Sequence, residues 1–183
     1  LGISLETMKS IIDMTSFAVS RDEMKPALTG VFLRISEERL TAVSTDGHRL
    51  VQYIVKDYKS AEFTGDVIVP RKFLGLFNTF NSDNVEILVS ENHLIASFGD
   101  DTVYTRVIDE RFPDYDSVIP VDNDKVLNIE RSALLGAVRR VSIFSNKATH
   151  QIALHLDDKK VRVTTEDPEK ASRGQEDLLG AQY

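Results

Sequence analysis

Apolar residues recur at helical spacing in three stretches of the chain, and elsewhere they fall in short runs rich in β-branched residues. In "SLETMKSIIDMTSFA", Leu5, Met8, Ile11, Ile12 and Thr15 mark one face of a helix over residues 5 to 18, with Ser4 as N-cap and Glu6 in the positive first turn. The polar run "SRDEMKPA" ends it. The runs "GVFLRI", "LTAVS", "LVQYIV" and "DVIV" then read as antiparallel strands, separated by charged or Gly-containing turns. Pro70 opens a second helix over 70 to 80, placing Phe73, Leu74, Phe77 and Phe80 inward. "VEILVS", "HLIASF" and "TVYTRVI" are further strands, and "DERFPDYDSVIPVDNDK" is a structured loop followed by a linker. A third helix over 129 to 144 precedes strands "QIALHL" and "KVRVTT". The pattern predicts an α+β fold of amphipathic helices packed on antiparallel sheets.

That order repeats. "GVFLRISEERLTAVSTD" (Gly30 to Asp46) lies over "QIALHLDDKKVRVTTED" (Gln151 to Asp167) at one offset, 151 − 30 = 121. Apolar positions coincide at Val31/Ile152, Leu33/Leu154, Ile35/Leu156, Leu40/Val161 and Ala42/Val163. The preceding helices align too, Leu5 on Ile129 and Met14 on Val138. The second copy reaches "EDLLGAQY" before any counterpart of the Pro70 helix, so the chain reads as one complete unit, residues 1 to 120, and half of another, 121 to 183.

Composition narrows the function classes. With no cysteine, the 183 residues hold no disulfide, thiolate nucleophile or zinc-thiolate site, which favours a reducing compartment. No apolar run approaches the roughly 18 residues that span a bilayer, and "LGISLETMKS" lacks the order of a signal peptide, so the expected location is the cytoplasm. A net charge of −7 argues against a globally basic nucleic-acid binder. The charge is unevenly placed, however. The first helix carries −1 and the other two +2 each, giving +3 on helices and −10 on the remainder.

The segment "VSTDGHRLV", Val43 to Val51, admits two readings. Asp-Gly supplies the φ > 0 conformations of a tight hairpin, which would leave His48 and Arg49 exposed by chance. An enzyme could instead be built on Asp46 and His48, with His93, Asp100 or Asp101 as acid-base or metal partners. No HExxH, Gly-rich phosphate loop or GxSxG accompanies them, and no cofactor is expected.

Four spaced motifs bear on the choice: "STDGHRL" (Ser44 to Leu50), "VIVPRK" (Val67 to Lys72), "RFPDYDSVIP" (Arg111 to Pro120) and "LLGAVRRVSIFSN" (Leu134 to Asn146). In this order they resemble the β subunit of bacterial DNA polymerase III, the sliding-clamp family. The resemblance covers the whole chain, matching the family's middle domain and the first half of its third. It implies the DNA-clamp fold and a homodimeric ring that encircles double-stranded DNA without catalysing a reaction. The implied partners are the polymerase III α subunit, the clamp loader and other proteins bearing clamp-binding motifs. It further implies a peptide-binding pocket of Leu28, Thr45, Gly47, His48, Arg49, Leu50, Pro113 and Val118, and DNA-facing Lys9, Arg21, Lys25, Arg71, Lys72, Arg139 and Arg140. Ser117 stands where many family members carry a basic residue. A protein-interaction module that uses the same pocket without DNA is the alternative.

Overall fold

Alternation along a strand decides which side chains are buried, and in this chain it produces two sheets that share one apolar interior. The computed structural model describes residues 2–56, 58–59, 63–157 and 160–178. It divides into two compact units, Leu1–Tyr115 and Asp116–Tyr183. In the first unit, β1 (Gly2–Ser4), β6 (Asn84–Val89), β7 (His93–Phe98) and β8 (Asp101–Arg106) form one antiparallel sheet in that spatial order. The second sheet runs β4 (Leu50–Val55), β3 (Arg39–Thr45), β2 (Gly30–Ser36), β5 (Gly65–Pro70). Helix α1 (Leu5–Thr15) and helix α2 (Arg71–Leu76) add to the core.

Val31, Leu33 and Ile35 of β2 point into that core with Leu40 and Ala42, and meet Val85, Ile87, Leu94, Ala96 and Phe98 of the other sheet. Leu5, Met8, Ile11 and Ile12 from α1 join them, as the helical period requires. Ser4 caps α1, its hydroxyl accepting the Thr7 amide at 3.1 Å. The end of α1 is fixed in the interior. Ser44 Oγ donates to the Thr15 carbonyl at 2.6 Å, and Thr15 Oγ1 donates to the Ile11 carbonyl at 2.7 Å, with both residues fully buried.

Helix α2 is shorter than the apolar spacing predicts. Pro70 closes β5 and serves as N-cap rather than first helical residue. After Leu76 the chain tightens, with the Phe77 and Thr79 amides bonding three residues back and Thr79 Oγ1 taking the Leu76 carbonyl at 2.6 Å. Phe77 still reaches the core beyond the helix, edge-on to Phe73 and Phe98. Two strands escaped the pattern altogether. These are the three-residue β1 and a polar last strand, β11 (Ser172–Leu178), in which only Gly174 and Leu178 are buried.

In the second unit, helix α3 (Arg131–Val141) packs Ala137 and Val141 on Val161, Val163 and Leu178 of a sheet ordered β11, β10 (Lys160–Asp167), β9 (Ala153–Asp157). Here the repeat becomes concrete. Leu33 faces Ala42 and Ile35 faces Leu40 across β2–β3, and at the 121-residue offset Leu154 faces Val163 and Leu156 faces Val161 across β9–β10. Each helix runs into a 3-10 turn, Ser16–Ala18 and Ser142–Phe144, and each hairpin is followed by a third antiparallel strand. Asp158 and Lys159, which the sequence repeat also covers, lie outside the described residues. The copies differ in cover. Leu33 and Ile35 are 3% and 2% exposed, while Leu154 and Leu156 are 44% and 42% exposed, because β9 has no counterpart of β5 beside it among the described residues.

Gly30 is where β2 comes closest to its neighbours. A Cβ there would lie 2.6 Å from the Val69 carbonyl oxygen and 2.8 Å from both Ile68 Cγ2 and Ile108 Cδ1. Gly30→Ala should therefore destabilise the chain by about 1–3 kcal/mol in urea unfolding. Gly75→Ala, at a helical position with nothing within 4 Å, should stabilise it by about 0.5–1 kcal/mol.

Candidate functional site

Thr45 and Leu50 are the last cross-strand pair of β3–β4, and the four residues Asp46–Arg49 close the turn. Only Gly47 takes a left-handed backbone, φ 90°, so the turn is wider than the two-residue hairpin that Asp-Gly suggests. Asp46 does most of the closing. Its Oδ1 accepts the amides of His48 and Arg49, both at 3.0 Å, and its Oδ2 accepts Arg49 Nε at 3.1 Å. Thr45 Oγ1 accepts the Gly47 amide at 3.1 Å and donates to the Arg49 carbonyl at 2.8 Å. These bonds, the Arg49 amide foremost and the His48 amide next, hold the Asp46 carboxyl below its ordinary value.

Arg49 also reaches outside the hairpin. Its Nη2 donates to the Phe17 carbonyl at 2.8 Å, and its guanidinium carbon sits 5.6 Å from the centroid of the half-exposed Phe17 ring. The His48 imidazole is exposed and has no partner among the described residues.

Antiparallel partners share a face, so Thr45 and Leu50 lie on the side of the sheet that carries Phe32, Val43 and Gln52. The "RFPDY" segment is pinned to that side. Phe112 stacks on Phe32 with centroids 4.7 Å apart, and Tyr115 tilts against it at 5.9 Å. Arg34 binds both sides of the joint, donating Nη1 to Tyr115 Oη at 3.2 Å and pairing with Asp66, while its guanidinium lies 5.3 Å and 5.4 Å from the Phe32 and Tyr115 rings. Pro113 is thereby held exposed between two anchored aromatics. Leu28 is buried just before β2, its carbonyl accepting the Ser20 amide at 2.8 Å. Val118 belongs to the 3-10 turn Asp116–Val118 of the second unit and is exposed.

The cationic candidates divide. Arg21, Arg71 and Lys72 line one groove of about 570 Å³ with a single acidic residue, Glu23. Lys25 is exposed nearby in sequence, its amide bonded to the Asp22 carbonyl. Lys9 shares its groove with Glu6, Asp13 and Asp83 and donates to the Phe80 carbonyl at 3.3 Å, so acidic neighbours offset it. On α3, Arg139 is exposed, whereas Arg140 makes a two-pronged pair with Glu176 at 2.6 and 2.9 Å.

The acid-base constellation does not assemble. His93 and Asp101 stand at opposite ends of the β7–β8 ladder, opposite Arg106 and Phe98 respectively, and Asp46 and His48 are on the turn of the other sheet. Among the described residues no group of three His, Cys, Asp or Glu could hold a metal ion.

The chain matches two family models end to end. Residues 2–114 match the central domain of the DNA polymerase III beta subunit, and residues 116–181 match its C-terminal domain. The chain belongs to the DNA polymerase III beta subunit family. It is 33% identical over 172 residues to the beta sliding clamp of Pseudomonas putida, covering 92% of this chain and 47% of that protein. Against the Escherichia coli K12 beta sliding clamp it is 31% identical over 180 residues, covering 97% and 48%. The chain thus spans about half the length of the curated relatives it matches. The crystal structure of the Pseudomonas aeruginosa DNA polymerase III subunit beta superposes with a TM-score of 0.92 at 29% identity, over 100% of this chain and 51% of that one. A Bartonella birtlesii DnaN sliding clamp bound to griselimycin superposes at 0.89 with 30% identity, over 100% and 50%. The fold is the sliding-clamp fold.

Sequence reasoning missed Phe17, Arg34 and Asp66. A polar Arg34 between Leu33 and Ile35 marks a strand face turned to something polar, but nothing local names Tyr115 as its partner. The lowered Asp46 carboxyl gives a test of the turn. Its contribution should be complete at neutral pH and down to the ordinary value of 3.8, and be lost as the pH falls through the lowered one. In an acid titration followed by NMR, the His48 and Arg49 amide resonances should hold their positions until the pH is below 3.8.

Proposed function

We propose that the chain is part of a ring-forming sliding clamp, a DNA polymerase processivity factor. The ring encircles double-stranded DNA and tethers the polymerase III α subunit, the clamp loader and other replication and repair proteins through a peptide-binding pocket. Residues 1 to 120 serve as the middle domain and 121 to 183 as the first half of the C-terminal domain. The subunit works in the cytoplasm as a homodimer, without cofactor and without catalysis. What supports this reading most is the succession of two family matches in ring-subunit order along one chain.

The sheet face described above supports a peptide site. Leu50 and Pro113 offer apolar surface, buried Leu28 offers little of its own, and Thr45, Gly47, His48 and Arg49 offer a polar rim that fixes a peptide's direction. Val118, which the family resemblance also implies for this site, is exposed in the second unit. The griselimycin-bound relatives support a ligand site in this family. A short peptide with Gln-Leu and Leu-Phe type anchors should bind. In Leu50→Asp, losing on the order of 60 Å² of apolar burial at about 25 cal/mol per Å² removes about 1.5 kcal/mol, roughly tenfold in affinity. Equal affinities in a fluorescence titration would count against the pocket.

The DNA-facing role rests on Arg21, Arg71, Lys72 and Arg139, with Lys25 and Lys9 contributing less. A sliding protein needs loose, sequence-blind attraction to phosphate, which exposed cations supply. In the intact subunit, replacing Arg21, Arg71 and Lys72 by Ala should lower the slope of log K against log salt by roughly 0.9 for each phosphate contact removed. Arg140→Ala should change it less, since Glu176 already neutralises that guanidinium. A protein-interaction module without DNA would bind peptide normally and show no salt-dependent retention on circular DNA.

A further inference from the structure

We propose that Asp46 and Phe17 are positioning residues of the peptide site: they lock Arg49 in one place, and the locked guanidinium holds the β3–β4 turn in the shape that receives the ligand. This rests on the peptide-pocket reading above. An arginine on a pocket rim carries large rotamer freedom, and ordering it when a ligand arrives weakens binding. Here Arg49 is ordered beforehand by the Asp46 carboxylate at 3.1 Å, the Phe17 carbonyl at 2.8 Å and the Phe17 ring at 5.6 Å.

Two of these three contacts come from outside the hairpin. Phe17 lies in the 3-10 turn that ends α1, and the end of α1 is itself fixed by the buried Ser44 and Thr15 hydroxyls. Fixed contacts therefore run from the core helix through Phe17 to the turn. With Nε and Nη2 of Arg49 engaged, the unpartnered His48 ring is the side chain of the turn left open to a ligand.

The second unit provides an internal comparison. Its β10–β11 turn also has four residues, 168 to 171, and is also tied to the 3-10 turn after its helix, by Ser172 Oγ donating to the Phe144 carbonyl at 3.1 Å. Asp167, at the position of Asp46, is buried there, accepts Asn146 Nδ2 at 3.2 Å and lies 4.0 Å from the ammonium of Lys170, the counterpart of Arg49, with no ring stacked on that lysine among the described residues. Tying this turn to the helix end recurs in both units. Only the first does it with an exposed guanidinium stacked on a half-exposed ring, a costlier arrangement than a serine hydroxyl unless the guanidinium has a further task.

The test uses the 183-residue chain, a labelled peptide with Gln-Leu and Leu-Phe anchors, and amide exchange of Gly47, His48 and Arg49 in the free protein. Asp46→Asn keeps an oxygen for the two turn amides while removing the charge. Asp46→Asn and Phe17→Ala should each weaken peptide binding by roughly fivefold and speed exchange at the turn, with exchange of the core β2 amides unchanged. Phe17→Tyr, which keeps the ring, should restore both. Faster exchange with unchanged affinity would overturn the proposal, because the ligand would then be indifferent to the order of the turn. Weaker binding with unchanged exchange would overturn it too, by making Asp46 and Phe17 direct contacts. A wild-type chain that binds no peptide at any concentration would remove the pocket reading itself, and this proposal with it.

Discussion

A slip of one residue between β2 and β3 would turn Val31, Leu33 and Ile35 out of the core and put Phe32 and Arg34 in their place. That register therefore fixes both sides of the sheet at once. On the inner side it gives α1 and the second sheet an apolar surface. On the outer side it presents Phe32 to Phe112 and Arg34 to Tyr115 and Asp66, which is how the "RFPDY" segment finds its seat. The same register places Thr45 opposite Leu50 and so sets the turn that follows. Hydrophobic burial within the unit and the geometry of the candidate site thus depend on one ladder. Gly30 guards it, since the start of β2 leaves no room for even a methyl group.

The cations show which charges remain available. Arg34, Arg140 and Arg162 each face a carboxylate, those of Asp66, Glu176 and Asp177. These exposed pairs contribute little to stability, and a paired guanidinium offers little attraction to a polyanion beyond a Debye length of about 8 Å. Arg21, Arg71 and Lys72 gather instead in a groove with only Glu23 to oppose them. A charge of −7 spread over the chain is thus compatible with a local positive patch. The total charge was a weak guide because pairing decides what each cation contributes.

Most of the architecture was readable in the sequence, because periods of two and 3.6 survive wherever one face is buried and the other wet. The helix beginning at Leu5, seven strands of the first unit and the 121-residue repeat all follow from that. Where one side chain settled the matter the pattern failed. Thr79 stops α2 with its hydroxyl, Gly2–Ser4 is too short to show alternation, and β11 buries a glycine where an apolar residue would have announced a strand. The site was legible in part. A turn at "TDGHRL" was plain, but its contacts with Phe17 span 32 residues, and no local spacing rule reaches that far.

The turn itself shows why Arg49 is more than punctuation. Closing four residues requires partners for the exposed amides and one residue that tolerates positive φ. Asp46, Thr45 and Gly47 satisfy those needs, and what the Arg49 side chain adds is a tie from the turn to Phe17. A short polar residue at position 49 would leave the same turn amides bonded but would lose the tie to Phe17. The guanidinium instead gives up rotamer freedom to join Asp46 to Phe17 at the protein surface, where ion pairs and stacking return little. An arrangement with so small a return in folding energy fits a surface shaped for a ligand better than it fits a turn shaped only for its own closure.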